Sequence, residues 1–116
     1  MNTAKLIIDF ERDGIESAER LLTHLRNLID DLAGQPLAIE VAVYGKAISF
    51  VQQGSPYEES ITQFSEEGVV FSVCRNAMNL FGITANMLQP EVVIVPSGVG
   101  RIVKAQLEGA KYYKAL

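Results

Sequence analysis

The chain is expected to fold as a three-layer α/β protein with a mainly parallel sheet. Three observations predict this. Short, nearly continuous apolar runs of strand length recur along the chain, as they do where a sheet is buried on both faces. Segments with helical spacing of apolar residues stand between those runs, and alternation of that kind yields crossover helices and parallel strands. The 116 residues suffice for one core, since domains commonly hold roughly 100–150 residues. Residues 1–116 therefore read as a single domain, with no internal repeat, linker or low-complexity stretch.

Lys5-Leu6-Ile7-Ile8-Asp9-Phe10 is the first strand. Asp13-Gly14-Ile15-Glu16 follows, an aspartate three residues before a glutamate, and predicts a helix start with Asp13 as the cap. Ile15, Ala18, Leu21, Leu22, Leu25, Leu28, Ile29 and Leu32 lie on one face of that helix, and Gly34 with Pro36 ends it. Leu37 to Tyr44 is the second strand, closed by Gly45. Lys46 to Gln53 predicts two helical turns. Ser55-Pro56-Tyr57-Glu58 then combines a capping serine, a proline at the first helical position and a glutamate that completes the box. Tyr57, Ile61 and Phe64 point inward from this helix and Gly68 closes it.

Val69 to Cys74 is the third strand, and Arg75 to Phe81 a helix, followed by an irregular stretch through Pro90. Ala85, Met87 and Leu88 in that stretch are expected to stay exposed and to mark an interface. Val92 to Val95 is the fourth strand. Pro96-Ser97-Gly98-Val99-Gly100 turns into a last helix whose inner face is expected to hold Val99, Ile102, Val103, Gln106, Leu107 and Ala110. The tail Tyr112 to Ala115 is expected to add an edge strand.

Composition excludes several functions. The chain is 48% hydrophobic and 21% charged, an ordinary soluble balance, and no apolar stretch approaches the ~20 residues that span a bilayer. The start of the chain lacks a signal-peptide core, which points to the cytoplasm. A net charge of −4 with scattered Lys and Arg argues against nucleic acid. One cysteine and one histidine make neither a disulfide nor a thiolate and imidazole metal site. No metal and no cofactor are expected.

Cys74 is the most informative residue. It stands where the third strand meets a helix, so the unsatisfied N–H groups of the helix start and the neighbouring Arg75 favour thiolate over thiol. The commoner role of a lone cysteine is as a small buried hydrophobe. In open parallel sheets ligands gather beyond the carboxyl ends of the strands, and there Cys74 is expected to be at least partly reachable from solvent. Ser97, Gly98 and Gly100 could cradle an anion with backbone N–H groups, although a plain capping turn is the commoner meaning of such a pattern. Tyr44 beside Gly45 is placed to point into the same crevice. Asp9, Glu11 and Asp13 could act as acid and base, but capping and solvation account for them more simply. His24 falls at the edge of the first helix's apolar face, away from any strand end, so a Cys–His pair is not expected. A serine hydrolase is disfavoured, because Gly-x-Ser-x-Gly is absent.

Val43-Tyr44-Gly45, Tyr57-Glu58-Glu59-Ser60-Ile61 leading to Gly68-Val69, Cys74-Arg75-Asn76-Ala77-Met78, Val95-Pro96-Ser97-Gly98-Val99, Gln106-Leu107-Glu108-Gly109 and Tyr113-Lys114 together resemble the DsrE/DsrF-like family of sulfur-relay proteins, in a stand-alone branch. The resemblance covers nearly the whole chain. It implies an α/β/α sandwich around a five-stranded sheet in the order 4-3-2-1-5, and assembly into trimers or hexamers. It also implies that Cys74 accepts sulfur as a persulfide from a donor protein and hands it to an acceptor; from the residues themselves, Arg75, Asn76 and the helix start are expected to stabilise the sulfur anion. Two other functions stay open at this level. One is a binding module for a small anion at Tyr44, Gly45, Ser97, Gly98 and Gly100, and the other is a structural or regulatory oligomer.

Overall fold

A computed structural model describes residues 3–116; Met1 and Asn2, where the reading of the chain's start begins, lie outside them. Five strands, β1 (Ala4–Phe10), β2 (Leu37–Val43), β3 (Val70–Cys74), β4 (Val93–Val95) and β5 (Lys111–Ala115), form one sheet. Every pairing is parallel and the order is β4-β3-β2-β1-β5. The helices are α1 (Ile15–Asp31), α2 (Glu58–Glu66), α3 (Arg75–Phe81) and α4 (Gly98–Leu107), and Gly45–Val51 forms a 3-10 segment. The α/β class, the strand order and the edge position of β5 all agree with expectation.

The topology sets the layers. From β1 to β4 the chain steps outward one strand at a time, and right-handed crossovers in one direction put their helices on one face of the sheet. The core there joins Ile8, Phe10, Val41, Val43, Phe71 and Val73 of the strands to residues of α1, α2, α3 and the 3-10 segment. The step from β4 to β5 crosses back to the opposite edge, so its helix falls on the other face. There α4 packs Ile102 and Ala105 on Ile7 and Ala42.

Several local expectations need correction. Asp13 does not cap α1: the cap position is Gly14, at φ 98°, and no side chain bonds to the first turn. The positive φ turns the chain so that residue 13 is not the cap residue. Helix α2 starts at Glu58, later than the proline position suggested. The expected capping box does not form: Ser55 and Glu58 take other N–H groups and close the preceding turn, Tyr57 N–H donating to Ser55 Oγ (3.2 Å) and Gly54 N–H to Glu58 Oε1 (2.7 Å). Where residues 46–53 are expected to give two helical turns, a 3-10 segment ends at Val51, and Gln52 pairs with Leu88 instead.

Leu88 is buried, because its segment pairs with Gln52 and the N–H of Gln89 bonds to the carbonyl of Val51; of the three residues expected to be exposed, Ala85 and Met87 are. The inner face of α4 is also different. Gly98, Ile102 and Ala105 face the sheet, whereas Val99, Val103 and Leu107 face outward. Small residues let the helix axis approach the sheet closely over Ala42, and valines at those positions would hold it away.

Candidate functional site

Cys74 is the last residue of β3 and the N-cap of α3, with extended backbone (φ −72°, ψ 115°), and its Sγ accepts the N–H of Ala77 at 3.4 Å. The sulfur thus does for α3 what a serine oxygen does at an ordinary helix start. It sits at the carboxyl rim of the sheet, as expected, but is only 6% exposed. Arg75 and Asn76 follow in the first turn of α3 and are exposed.

The cover over Cys74 comes from α4. A Cβ built on Gly98 would lie 2.7 Å from Tyr44 Cβ and 3.3 Å from Cys74 Cβ, so the helix start can rest there only because residue 98 has no side chain. The structure therefore brings Tyr44, Cys74 and Gly98 together. Ser97 caps α4, its Oγ accepting the N–H of Gly100 at 3.0 Å, so that N–H group is already occupied. Gly45, at φ 58°, turns the chain away beside the carbonyl of Glu11.

Next to this cluster lies a polar network that sequence reasoning missed. Asp9 is buried on the α4 face, and its carboxylate accepts the hydroxyls of Tyr44 (2.7 Å) and Tyr112 (2.5 Å). Lys114 Nζ stands 3.6 Å from Asp9 and 2.9 Å from Glu11. Burial first, then the bond to Asp9 and its charge, raise the pKa of Tyr44 well above the usual phenol value. The Asp9 bond is the main cause of the same shift in Tyr112, and the bond to Glu11 raises Lys114. Both tyrosines are thereby kept neutral as donors, and Tyr44 is tethered toward β1. The available signal was the pairing of Asp9 with Lys114 across β1 and β5, readable once the strand order is known.

A second network pins α4 to the sheet. Arg101 donates from Nε (2.8 Å) and a terminal nitrogen (3.0 Å) to the two oxygens of Glu40, which also accepts the hydroxyl of Ser72. His24 is exposed, and its Nδ1 shares a hydrogen bond with the Tyr113 hydroxyl at 2.7 Å, at the margin of α1. Among the described residues no three His, Cys, Asp or Glu side chains group as metal ligands, and no helix is long and apolar enough to cross a membrane.

A parallel sheet ordered 4-3-2-1-5 matches the topology that the family resemblance implies. The model of the DsrE/DsrF-like family matches residues 7–114, and the chain belongs to that family. Among solved structures it is similar to the protein of unknown function MTH1491 from Methanobacterium thermoautotrophicum, with 29% identity and a TM-score of 0.91 over 96% of this chain and 98% of that one. The fold is shared with the ychN protein from E. coli (15% identity, TM-score 0.73, 98% and 99% covered). It is shared also with the conserved protein of unknown function BT1422 from Bacteroides thetaiotaomicron (15%, 0.74, 95% and 93%). No curated protein matches the chain.

Proposed function

We propose that this protein is a cytoplasmic homo-oligomer, trimer or hexamer, that carries or transfers sulfane sulfur as a persulfide on Cys74. The observation that supports the reading most directly is the seat of the sulfur. Cys74 Sγ faces the first-turn N–H of Ala77 at a strand's carboxyl end, where a sulfur anion meets a hydrogen-bond donor and the positive end of a helix. The thiolate attacks the outer sulfur of a donor persulfide. The donor's S–S bond breaks, its inner sulfur leaves as a thiolate, and a new S–S bond forms on Cys74 with no net oxidation. Arg75 contributes charge beside the anion, and Asn76 a polar side chain on the same turn.

Because Cys74 is covered by the start of α4, transfer requires that turn to lift away, and the same cover protects the persulfide from stray thiols between transfers. The outward ridge of Val99, Val103 and Leu107 favours assembly, since an apolar ridge of this kind is an interface feature. Intact-mass spectrometry tests the chemistry. A persulfide donor is expected to add one reducible sulfur per chain, Cys74→Ser to abolish the addition, and Arg75→Ala to weaken it without unfolding. A wild type that gains no reducible sulfur from several donors overturns the relay. If it still binds a small anion at Ser97 to Gly100, the binding-module function takes its place.

A further inference from the structure

We propose that a cavity of about 430 Å³ at the carboxyl end of β1, on the face of the sheet opposite α4, binds a small monocarboxylate with a planar apolar body. The inference goes beyond the sulfur relay and does not depend on it. The cavity lies beyond the carboxyl end of β1, between the start of α1 and the turn from the 3-10 segment to α2, and the carboxyl ends of the strands are where ligands gather in open parallel sheets. The volume falls within the range of small-molecule sites, roughly 300–1,000 Å³.

The walls define the ligand. Tyr57 gives the cavity an aromatic side; it stacks on Phe50 at 5.1 Å, and Phe50 and Phe10, edge-on at 5.3 Å, are buried behind it. Pro56 and the exposed side chain of Ile15 continue the apolar lining. Against this stands Arg12, which lines the cavity and forms no ion pair among the described residues. Beside it α1 begins without a side-chain cap. An arginine that lines the same cavity as an aromatic ring is complementary to a carboxylate on a flat apolar body, because the guanidinium fork matches carboxylate geometry and the ring of Tyr57 takes the flat face. Asp13 lines the same cavity and disfavours a second negative charge, so the match is to a monocarboxylate rather than to a phosphate or a dicarboxylate.

Amide NMR of the full-length protein, with benzoate as the probe and benzyl alcohol as its neutral counterpart, tests the proposal. Benzoate is expected to move the signals of Gly14, Ile15 and Gly54, and Arg12→Gln to weaken it by about tenfold or more, the value of one charge-assisted bond. Cys74→Ser leaves this binding unchanged. The proposal is overturned if benzoate at about 10 mM, a concentration that detects even a millimolar Kd, moves none of these signals. It is overturned equally if benzyl alcohol binds as well as benzoate, if Arg12→Gln changes nothing, or if the signals that move are those of Ser97 to Gly100.

Discussion

On one face of the sheet, α1, α2, α3 and the 3-10 segment bury Val41, Val43, Phe71 and Val73 completely. On the other, α4 alone covers Ile7 and Ala42 and leaves Val70 and Val93 41% and 50% exposed. The first face is a continuous aliphatic and aromatic core. The second is a narrow apolar seam flanked by two polar networks, Asp9 with Tyr44, Tyr112 and Lys114, and Glu40 with Ser72 and Arg101. The difference follows from chain direction, since three crossovers fall on one side and one on the other. It separates two tasks. The filled face supplies stability, and the thinly covered face holds the cysteine under a helix start that rests on a glycine.

If that division is right, the largest loss comes from the filled face. Phe71 is fully buried against Phe50, and Phe71→Ala is expected to cost about 3–5 kcal/mol, the usual range for a core aromatic. Urea unfolding followed by circular dichroism measures it. A loss below about 1 kcal/mol, the mean effect of an arbitrary substitution, would mean that stability resides elsewhere and the comparison fails.

The two faces were not equally legible in the sequence. Strands β1 to β4 and helix α1 follow from periodicity, because their apolar residues face a deep core and leave a clear pattern. The position of Cys74 at a strand end was legible for the same reason. Its burial was not, because the cover is the backbone of Gly98, a residue distant in sequence whose meaning depends on how closely a helix approaches the sheet. The face of α4 is only partly legible for the same cause: apolar spacing picks Ile102 and Ala110, which do pack on the sheet, but adds Val99, Val103 and Leu107, whereas close packing selects Gly98 and Ala105. Asp9 stands out in the sequence, but its partners Tyr112 and Lys114 lie on β5, adjacent to β1 in the sheet and at the opposite end of the chain. The missing cap on α1 had no sequence signal, since the Asp-x-x-Glu pattern satisfies the rule and the φ of Gly14 decides the outcome.

The second network sharpens the comparison through pH. Burial pushes the Glu40 carboxyl up, but the hydrogen bonds from Arg101 and Ser72 and the charge of Arg101 more than reverse this, leaving it below its ordinary 4.5. A carboxyl depressed on folding contributes stability that is fully present above its unfolded pKa and is lost as pH falls through the folded value. Glu40→Gln is therefore expected to remove about 1–2 kcal/mol at pH 7, the scale of charge-assisted bonds in a partly solvated site. It should also flatten the fall in stability below pH 4.5. Tm measured against pH gives both. A parallel downward shift of the whole curve would leave Glu40 as simple packing.

The smallest change in the chain's own stability is expected at the outermost residues of the thin face, and there it discriminates best. Val103 projects from the middle of α4 and is half exposed, between Val99 and Leu107 one turn to either side. With little apolar area to lose within the chain, Val103→Asp should alter the unfolding free energy of a single chain by no more than about 0.5 kcal/mol, the usual range for surface sites. A carboxylate placed on an apolar ridge that another subunit covers must be desolvated without a partner, which costs several kcal/mol for each copy in the assembly. The wild type is therefore expected to sediment as an oligomer and Val103→Asp as a smaller species with an unchanged circular dichroism spectrum. A wild type that is already monomeric at micromolar concentration, or a variant of unchanged mass, would place the interface elsewhere and leave the exposed ridge of α4 without the role its composition suggests.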